Sequence, residues 1–278
     1  MNDLAQHLLY QKEGPLARII LNRPEALNAF SLPMIKDWAL SLDDAQQDPN
    51  IRVIVLTAKG RAFSAGGDTK TMLASKGFMA EDGKGEAWGP KALDRKRSLT
   101  EYIHKIALIL ESMDKPVICG IQGVAVGAGL DMALMCDLRI IAESAKLSAG
   151  YVKAGLVPGD GGAYFMTRLI GTARSLELLW TGDFITAREA EKLGLVNHVV
   201  PDEELEKATL ELALKIAQSP PVSVQMIKRA VYSAQRTNDL RTALDLISSH
   251  MAIVTELEDH REALVAMVEK RVPNFRGK

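Results

Sequence analysis

Charge of one sign, cysteine and long apolar runs are all in short supply in this sequence of 278 residues. Lys and Arg number 34 against 35 Asp and Glu, so no general field attracts nucleic acid or an anionic membrane surface. No segment approaches the ~18 consecutive apolar residues a membrane-spanning helix needs. Neither nucleic acid nor membrane is therefore an expected partner. Cys119 and Cys136 are the only cysteines. Both sit in apolar segments and form no CxxC, which argues against a disulfide-stapled scaffold and reads as two reduced core thiols. Met1 to Gly14 has neither the apolar stretch of a signal peptide nor the Arg-rich, acid-poor character of a transit peptide. A cytoplasmic chain is the expectation.

Signatures that depend on fixed spacing are missing as well. There is no G-x4-G-K-[ST], no H-E-x-x-H and no G-x-S-x-G, so P-loop, zincin and α/β-hydrolase chemistry lack their mechanical parts. Gly123, Gly127 and Gly129 do not fit G-x-G-x-x-G, which argues against a dinucleotide site. His7, His104, His198, His250 and His260 show no ligand spacing. They read as structural or surface residues, and no metal site is expected.

What the chain does have is an ordinary globular composition, 47% hydrophobic and 25% charged, with alternating strand and helix signals. Ala17–Leu21, Arg52–Thr57, Lys115–Ile121 and Leu138–Ala142 read as strands. Ser31 caps a helix carrying Met34, Ile35, Trp38 and Leu42, and a short helix is expected from Ala128 to Met135. This alternation indicates an α/β class with a substantial parallel component. After Pro201 the pattern changes to long amphipathic helices, Glu203–Gln218, Val222–Gln235 and Asn238–Lys270, the last one open to a break. The chain divides accordingly into 1–200 and 201–278. Apolar residues such as Leu244, Ile247, Met251 and Val254 suit either an oligomer interface or packing within the chain. Gly77–Ser98 reads as a mobile surface loop, either a lid or a solvated excursion.

Two glycine-rich segments carry the chemistry, Phe63-Ser-Ala-Gly-Gly-Asp68 and Gly123-Val-Ala-Val-Gly-Ala-Gly-Leu-Asp131. Each follows an apolar run and opens a helix. A helix start leaves N–H donors unpaired and partly positive, so two such starts facing each other would stabilise an oxyanion on a carbonyl substrate.

The stretch Gly123–Gly171, GVAVGAGLDMALMCDLRIIAESAKLSAGYVKAGLVPGDGGAYFMTRLIG, resembles the core signature of the enoyl-CoA hydratase/isomerase family, the crotonases. Leu21–Ala29, Phe63–Asp68, Thr181–Ala190, Gly194–Asn197 and Glu269–Gly277 follow in family order, so the resemblance covers nearly the whole chain. It implies a spiral of ββα units with a C-terminal helical region that trimerises, as a homotrimer or a dimer of trimers. It also implies an acyl-CoA substrate, with no cofactor beyond the coenzyme A of that substrate. The oxyanion donors it implies are the backbone N–H groups of Gly67 and Ala128, each contributing ~3 kcal/mol in the transition state. For the coenzyme it implies the backbone around Arg23 to Ala26 and Ala65 to Lys70, including Asp68 and Thr69, with Lys70 and Lys278 as basic candidates for its phosphates.

The two glutamates of similar hydratases fall on Asp131 and Tyr151, and neither is Glu. A phenol of ordinary pKa near ~10 is a poor base at neutrality, so simple two-carboxylate hydration is disfavoured. Asp160, in Val157-Pro-Gly-Asp-Gly-Gly162, occupies a turn where several relatives place an active carboxylate. Helix capping is the competing role for Asp131 and Asp160, while Asp137 and Arg139 read as a structural pair. The expected activity is enolate-mediated double-bond isomerisation or hydration. A thioester or carbon–carbon hydrolase and a non-catalytic acyl-CoA-binding protein are the alternatives.

Overall fold

The computed structural model describes residues 6–74, 79, 91–237 and 239–278. Its β-branched runs, joined by an edge strand without β-branched residues, become the strands of a six-stranded sheet. These are β1 (Leu8–Glu13), β2 (Leu16–Leu21), β3 (Val53–Ala58), β4 (Val117–Ile121), β6 (Leu138–Ala142) and β9 (His198–Val200), in spatial order β1-β2-β3-β4-β6-β9. Only β1 runs antiparallel to its neighbour; the rest pair in parallel, with Leu16 opposite Val53, Ile54 opposite Val117 and Ile118 opposite Leu138. A smaller sheet holds β5 (Val124–Val126), β7 (Lys146–Ser148) and β8 (Ile185–Thr186).

Twelve α-helices surround these sheets among the described residues. Those of the first half are α1 (Leu32–Gln47), α2 (Thr69–Leu73), α3 (Ala92–Ser98), α4 (His104–Ser112) and α5 (Ala128–Leu134). Next come α6 (Gly162–Ile170), α7 (Thr172–Thr181), α8 (Ala187–Leu193) and α9 (Leu205–Ala217), then α10 (Pro221–Arg236), α11 (Leu240–Thr255) and α12 (Glu258–Glu269). The Ser31 hydroxyl accepts from Met34 N and starts α1 as a cap should. Helix-breaking at Glu256 and Leu257 divides the long last helical stretch into α11 and α12.

Parallel strands are covered on both faces, which is why β3 and β4 are apolar without alternation. Ile54 and Leu56 point into the main core with Trp38 and Leu42 of α1, while Val53 and Val55 point the other way, onto Ala213 and Ala217 of α9. Helix α9 therefore closes the back of the sheet.

Of the stretch 77–98 read as a loop or lid, residues 77, 78 and 80–90 lie outside the described residues. The remainder corrects that reading, because α3 begins at Ala92 and runs through one π-helical turn, Leu99–Ile103, into α4. The Gly and Pro residues that signalled a loop end at Pro90, and Ala-Leu-Asp-Arg-Lys-Arg beyond them is good helix sequence. No helix among the described residues is long and apolar enough to cross a membrane.

Candidate active site

Both glycine segments emerge at the C-terminal ends of parallel strands, where open α/β sheets place their sites. After β3 the chain turns back so that Ser64 pairs with Ala125: Ser64 N donates to Val124 O at 3.1 Å and Val126 N to Ser64 O at 3.0 Å. Gly66 takes a left-handed conformation, φ 79°. A methyl group added there would meet Val126 O at 2.6 Å and Ala128 N at 3.0 Å, so the two segments lie in backbone contact. At φ 52° and ψ −121°, Gly127 turns β5 into α5 through a conformation other residues avoid. Neither Gly67 N nor Ala128 N donates to any described residue. These two amides are the ones the sequence singled out.

The segments expected to hold coenzyme are stitched to this corner. Ala65 N donates to Leu27 O at 2.9 Å and Phe30 N to Gly66 O at 2.7 Å. Arg23 reaches Asp68 Oδ2 at 2.9 Å and Ala29 O at 3.1 Å, while Asp68 Oδ1 accepts from Thr71 N and caps α2. Burial opposes ionisation of Asp68, but those hydrogen bonds and the guanidinium hold its carboxyl below the usual range. Ala26 and Ala65 are half-buried beside this pair, and Thr69 and Lys70 are exposed on α2.

Lys278 is not brought to this corner. Its carbonyl accepts from Asp259 N, Gly277 N donates to Asp259 Oδ2, and Arg52 holds Phe275 O at the opposite end of β3, about 20 Å of strand away.

Sequence reasoning missed Asn28. It is fully buried at φ 53°, its Oδ1 accepts from Arg23 N, and its Nδ2 donates to Lys59 O and Ala62 O. The succession of two left-handed residues, Leu27 and Asn28, marks a strained loop held by its surroundings.

Asp131, Tyr151 and Asp160 converge. Tyr151 Oη lies 2.6 Å from Asp131 Oδ2 and 2.8 Å from Asp160 Oδ2, and Gly162 N donates to Asp131 Oδ2 at 2.9 Å. The sequence brings them together through three devices. Asp131 stands in the first turn of α5; Tyr151 opens a 3₁₀ turn after β7, its ring 3.8 Å from where a Gly127 side chain would begin; Gly161 at φ 112° swings the Asp160 turn into α6. A side chain at Gly162 would strike Asp131 Oδ1 at 2.1 Å. The second oxygens, Oδ1 of Asp131 and of Asp160, are buried without a partner among the described residues, an arrangement that costs about 1–3 kcal/mol per group.

Burial dominates the electrostatics here. It raises Asp131 to about 7 against the hydrogen bond from Tyr151, with the Asp160 charge adding to the rise. Asp160 is raised by burial too, opposed by Tyr151 and by His104. The Tyr151 phenol is pushed far up by burial and by both carboxylates, so it does not ionise.

His104 also went unread as a site residue. Its Nε2 donates to Gly159 O at 2.8 Å, anchoring the turn that carries Asp160, and Leu99 of the adjoining π turn packs on Gly159. A lone histidine 55 residues from its partner leaves no spacing signal; π turns do cluster at functional sites.

Asp137 and Arg139 are structural but do not pair with each other. Asp137 accepts from Val117 N, Lys228 and Tyr232, whereas Arg139 donates to the carbonyls of Ala133, Cys136 and Leu195. Carbonyls at the end of α5, together with that of Leu195 beyond α8, take the guanidinium in place of the carboxylate.

The chain resembles known proteins along nearly its whole length. The family model described as enoyl-CoA hydratase/isomerase matches residues 11–278. The chain is 35% identical over 275 residues to 1,2-epoxyphenylacetyl-CoA isomerase of Escherichia coli, covering 99% of this chain and 100% of that protein. It is 33% identical over 278 residues to crotonyl-CoA hydratase of Syntrophomonas wolfei, covering 98% and 99%. The crystal structure of an enoyl-CoA hydratase from Bacillus anthracis superposes with a TM-score of 0.89 at 33% identity, covering 98% of this chain and 100% of that one.

Proposed function

The chain belongs to the enoyl-CoA hydratase/isomerase family, and from that premise we propose that it shifts a double bond within an unsaturated acyl-CoA. The observation that carries this reading is the buried Asp131–Tyr151–Asp160 cluster beside two unpaired amides. Thioester carbonyl oxygen would take its place between Gly67 N and Ala128 N, where developing negative charge meets donors already in position. One aspartate takes a proton from the α or γ carbon; the electron pair of that C–H bond moves into an enolate held by the amides. The other aspartate supplies a proton at the far end of the conjugated system.

Isomerisation is favoured over hydration because each aspartate commits one oxygen to the same phenol, so the pair is arranged to exchange a proton. Hydratases that resemble this chain use a pair of glutamates, and here one of those positions is the non-ionising Tyr151. Proton transfer on a thioester calls for no group beyond the coenzyme A of the substrate, which we place along Arg23–Ala26 and Ala65–Lys70. Exposed Leu244, Ile247 and Met251 of α11 support self-association through the C-terminal helices, as a trimer or a dimer of trimers. Two buried free thiols, Cys119 and Cys136, suit the cytoplasm.

Product analysis on a panel of enoyl- and dienoyl-CoA thioesters tests the reading. A shifted double bond at unchanged mass is expected. Gain of one water or release of free coenzyme A as the main outcome would replace it with hydration or hydrolysis.

A further inference from the structure

The hydrogens around Tyr151 do not add up if every group is in its ordinary state. Both contacts of the phenol oxygen, 2.6 Å and 2.8 Å, are hydrogen-bond distances between oxygens. A phenol owns one hydrogen, and an ionised carboxylate owns none. With both aspartates ionised, one contact would press lone pairs together in a buried pocket. A second hydrogen is required, and only a carboxyl can carry it. One aspartate is therefore protonated and donates to Tyr151 Oη, while Tyr151 donates to the other.

Two placements of these hydrogens satisfy the geometry, and they differ by a concerted shift. Asp160 gives its proton to Oη as Tyr151 gives its own to Asp131, or the reverse. One proton has then crossed between carboxyls, and no phenolate has formed. The surroundings balance the two placements: Gly162 N–H favours negative charge at Asp131, and His104 favours it at Asp160. The titratable groups acting on the three are one another and His104. Both carboxyls are shielded from water, Asp131 at 0% and Asp160 at 5% exposed, with the partly buried Tyr151 between them.

We propose that Tyr151 conducts a proton between Asp131 and Asp160, so that hydrogen taken from one acyl-CoA molecule is stored in the cluster and delivered to a later one. This rests on the isomerase reading above. Ionised Asp131 takes a proton from substrate carbon, the C–H pair enters the enolate, and protonated Asp160 gives its proton to the far carbon as the thioester carbonyl re-forms. A half-turn of each carboxyl presents its proton either to the substrate or to the phenol. Asp131 then passes its proton to Oη, Tyr151 passes its own to Asp160, and the starting state returns. With two hydrogens stored, a proton abstracted in one turnover leaves in the second turnover after it. The reverse assignment of base and acid gives the same count.

A crossover experiment reads this directly. Substrate deuterated at the abstracted carbon is mixed with substrate that is undeuterated and carries ¹³C in its acyl chain. Deuterium is expected in the ¹³C product at least tenfold above the level given by Tyr151→Phe, with kcat of that variant lower by about 10²-fold or more. Deuterium confined to its own molecule, or lost to water equally in both proteins, overturns the relay. Asp160→Asn keeps a donor to Oη but cannot pass a proton; it retains the fold and abolishes crossover. Should no thioester be turned over, the isomerase reading fails by itself, and carboxyl ¹³C spectra of aspartate-labelled protein still decide the relay. At pH 7 the Asp131 and Asp160 signals of the native protein should lie between the ionised and protonated positions and titrate together, separating in Tyr151→Phe. Two fully ionised carboxylates at pH 7, or signals indifferent to Tyr151→Phe, overturn it.

Discussion

The two halves of the site are built from different material. Around Gly67 and Ala128, backbone lies against backbone: Gly66 against Val126 O and Ala128 N, and Gly129 so close to Ser64 that a methyl group would come within 2.5 Å of its carbonyl oxygen. Around Tyr151, side chain lies against side chain, and what sets the geometry is where hydrogens reside. Amide donors do not titrate near neutrality, so the first half presents the same dipoles at every working pH. The second half changes its charge when one proton comes or goes. Under the proposed mechanism, oxyanion stabilisation would stay constant with pH and the carboxyls alone would decide when chemistry proceeds.

Breaking the backbone half should have the largest effect. Gly66→Ala places a methyl group in a left-handed residue and 2.6 Å from Val126 O, forcing apart the segments that carry the two donors. Turnover should fall by about 10²–10³-fold, the loss typical of one misplaced oxyanion donor. Left-handed strain and steric overlap should together remove about 2–4 kcal/mol of stability. Steady-state kinetics and urea unfolding of the same preparation measure both. The comparison fails if activity falls without loss of stability.

Gly162→Ala attacks the other half at an even closer approach, 2.1 Å, but what it meets is the movable carboxylate of Asp131. The side chain can rotate away. Turnover is expected to drop by about 10²-fold, with stability reduced by only about 1–2 kcal/mol as Tyr151 and Gly162 N lose their acceptor. Equal stability losses in the two variants would mean that both halves are backbone-limited.

These halves were also unequally legible in the sequence. Gly66, Gly67, Gly127 and Gly129 stand out as clusters after apolar runs, but tight turns would explain them as well, and it is their place in the order of the enoyl-CoA hydratase/isomerase family that points to oxyanion donors; the β-branched segments at 53–58 and 117–121 announce the sheet from which they emerge. Asp131, Tyr151 and Asp160 could be named one by one, but nothing in their spacing says that a single phenol bridges both carboxyls. That depends on the left-handed turn at Gly161 and on the path of the chain after β7, both tertiary facts. His104 and Asn28 were invisible for the same reason: their partners are backbone carbonyls and amides, which have no sequence signature. Strand β1 escaped because Leu-Leu-Tyr-Gln-Lys-Glu is an edge strand, exposed at its C-terminal end, and lacks β-branched residues. The three-residue strands β5, β7 and β9 are too short for any periodicity to register.

Removing the charge of Asp131 should stabilise the protein while stopping its chemistry. Burial raises this carboxyl to about 7 in the folded state, against ~3.9 in the unfolded chain. Between those values the folded protein binds more protons than the unfolded one, so this residue makes stability decline as pH rises from about 4 to 7. Asp131→Asn keeps an oxygen to accept from Tyr151 and Gly162 N but cannot ionise. At pH 8 it should be more stable than the native protein by about 1–3 kcal/mol by urea unfolding, with the difference vanishing near pH 4. A native protein equally stable at pH 4 and pH 8 with respect to this variant would show that Asp131 is not strained by burial.

Asp68 supplies the smallest and most discriminating test, because its pH dependence has the opposite sign. Its carboxyl is buried, but Thr71 N and Arg23 hold it below the ordinary value. The stability it contributes is present above the unfolded pKa and is lost as pH falls through the lower folded one. Asp68→Ala removes the cap of α2 and should cost about 1 kcal/mol, felt mainly in the helix that follows Gly67. Amide exchange, corrected for its intrinsic pH dependence, should show α2 protection weakening below pH 4 in the native protein but not in the variant. The turn at Gly159–Gly162 should instead weaken as pH rises toward 7. Both signs belong to aspartates buried in one site, and each accepts from a helix-start amide; what separates them is that Asp68 faces a guanidinium, whereas Asp131 faces a phenol and a second carboxyl. If the two regions respond to pH in the same direction, the division between a backbone half and a proton-storing half does not hold.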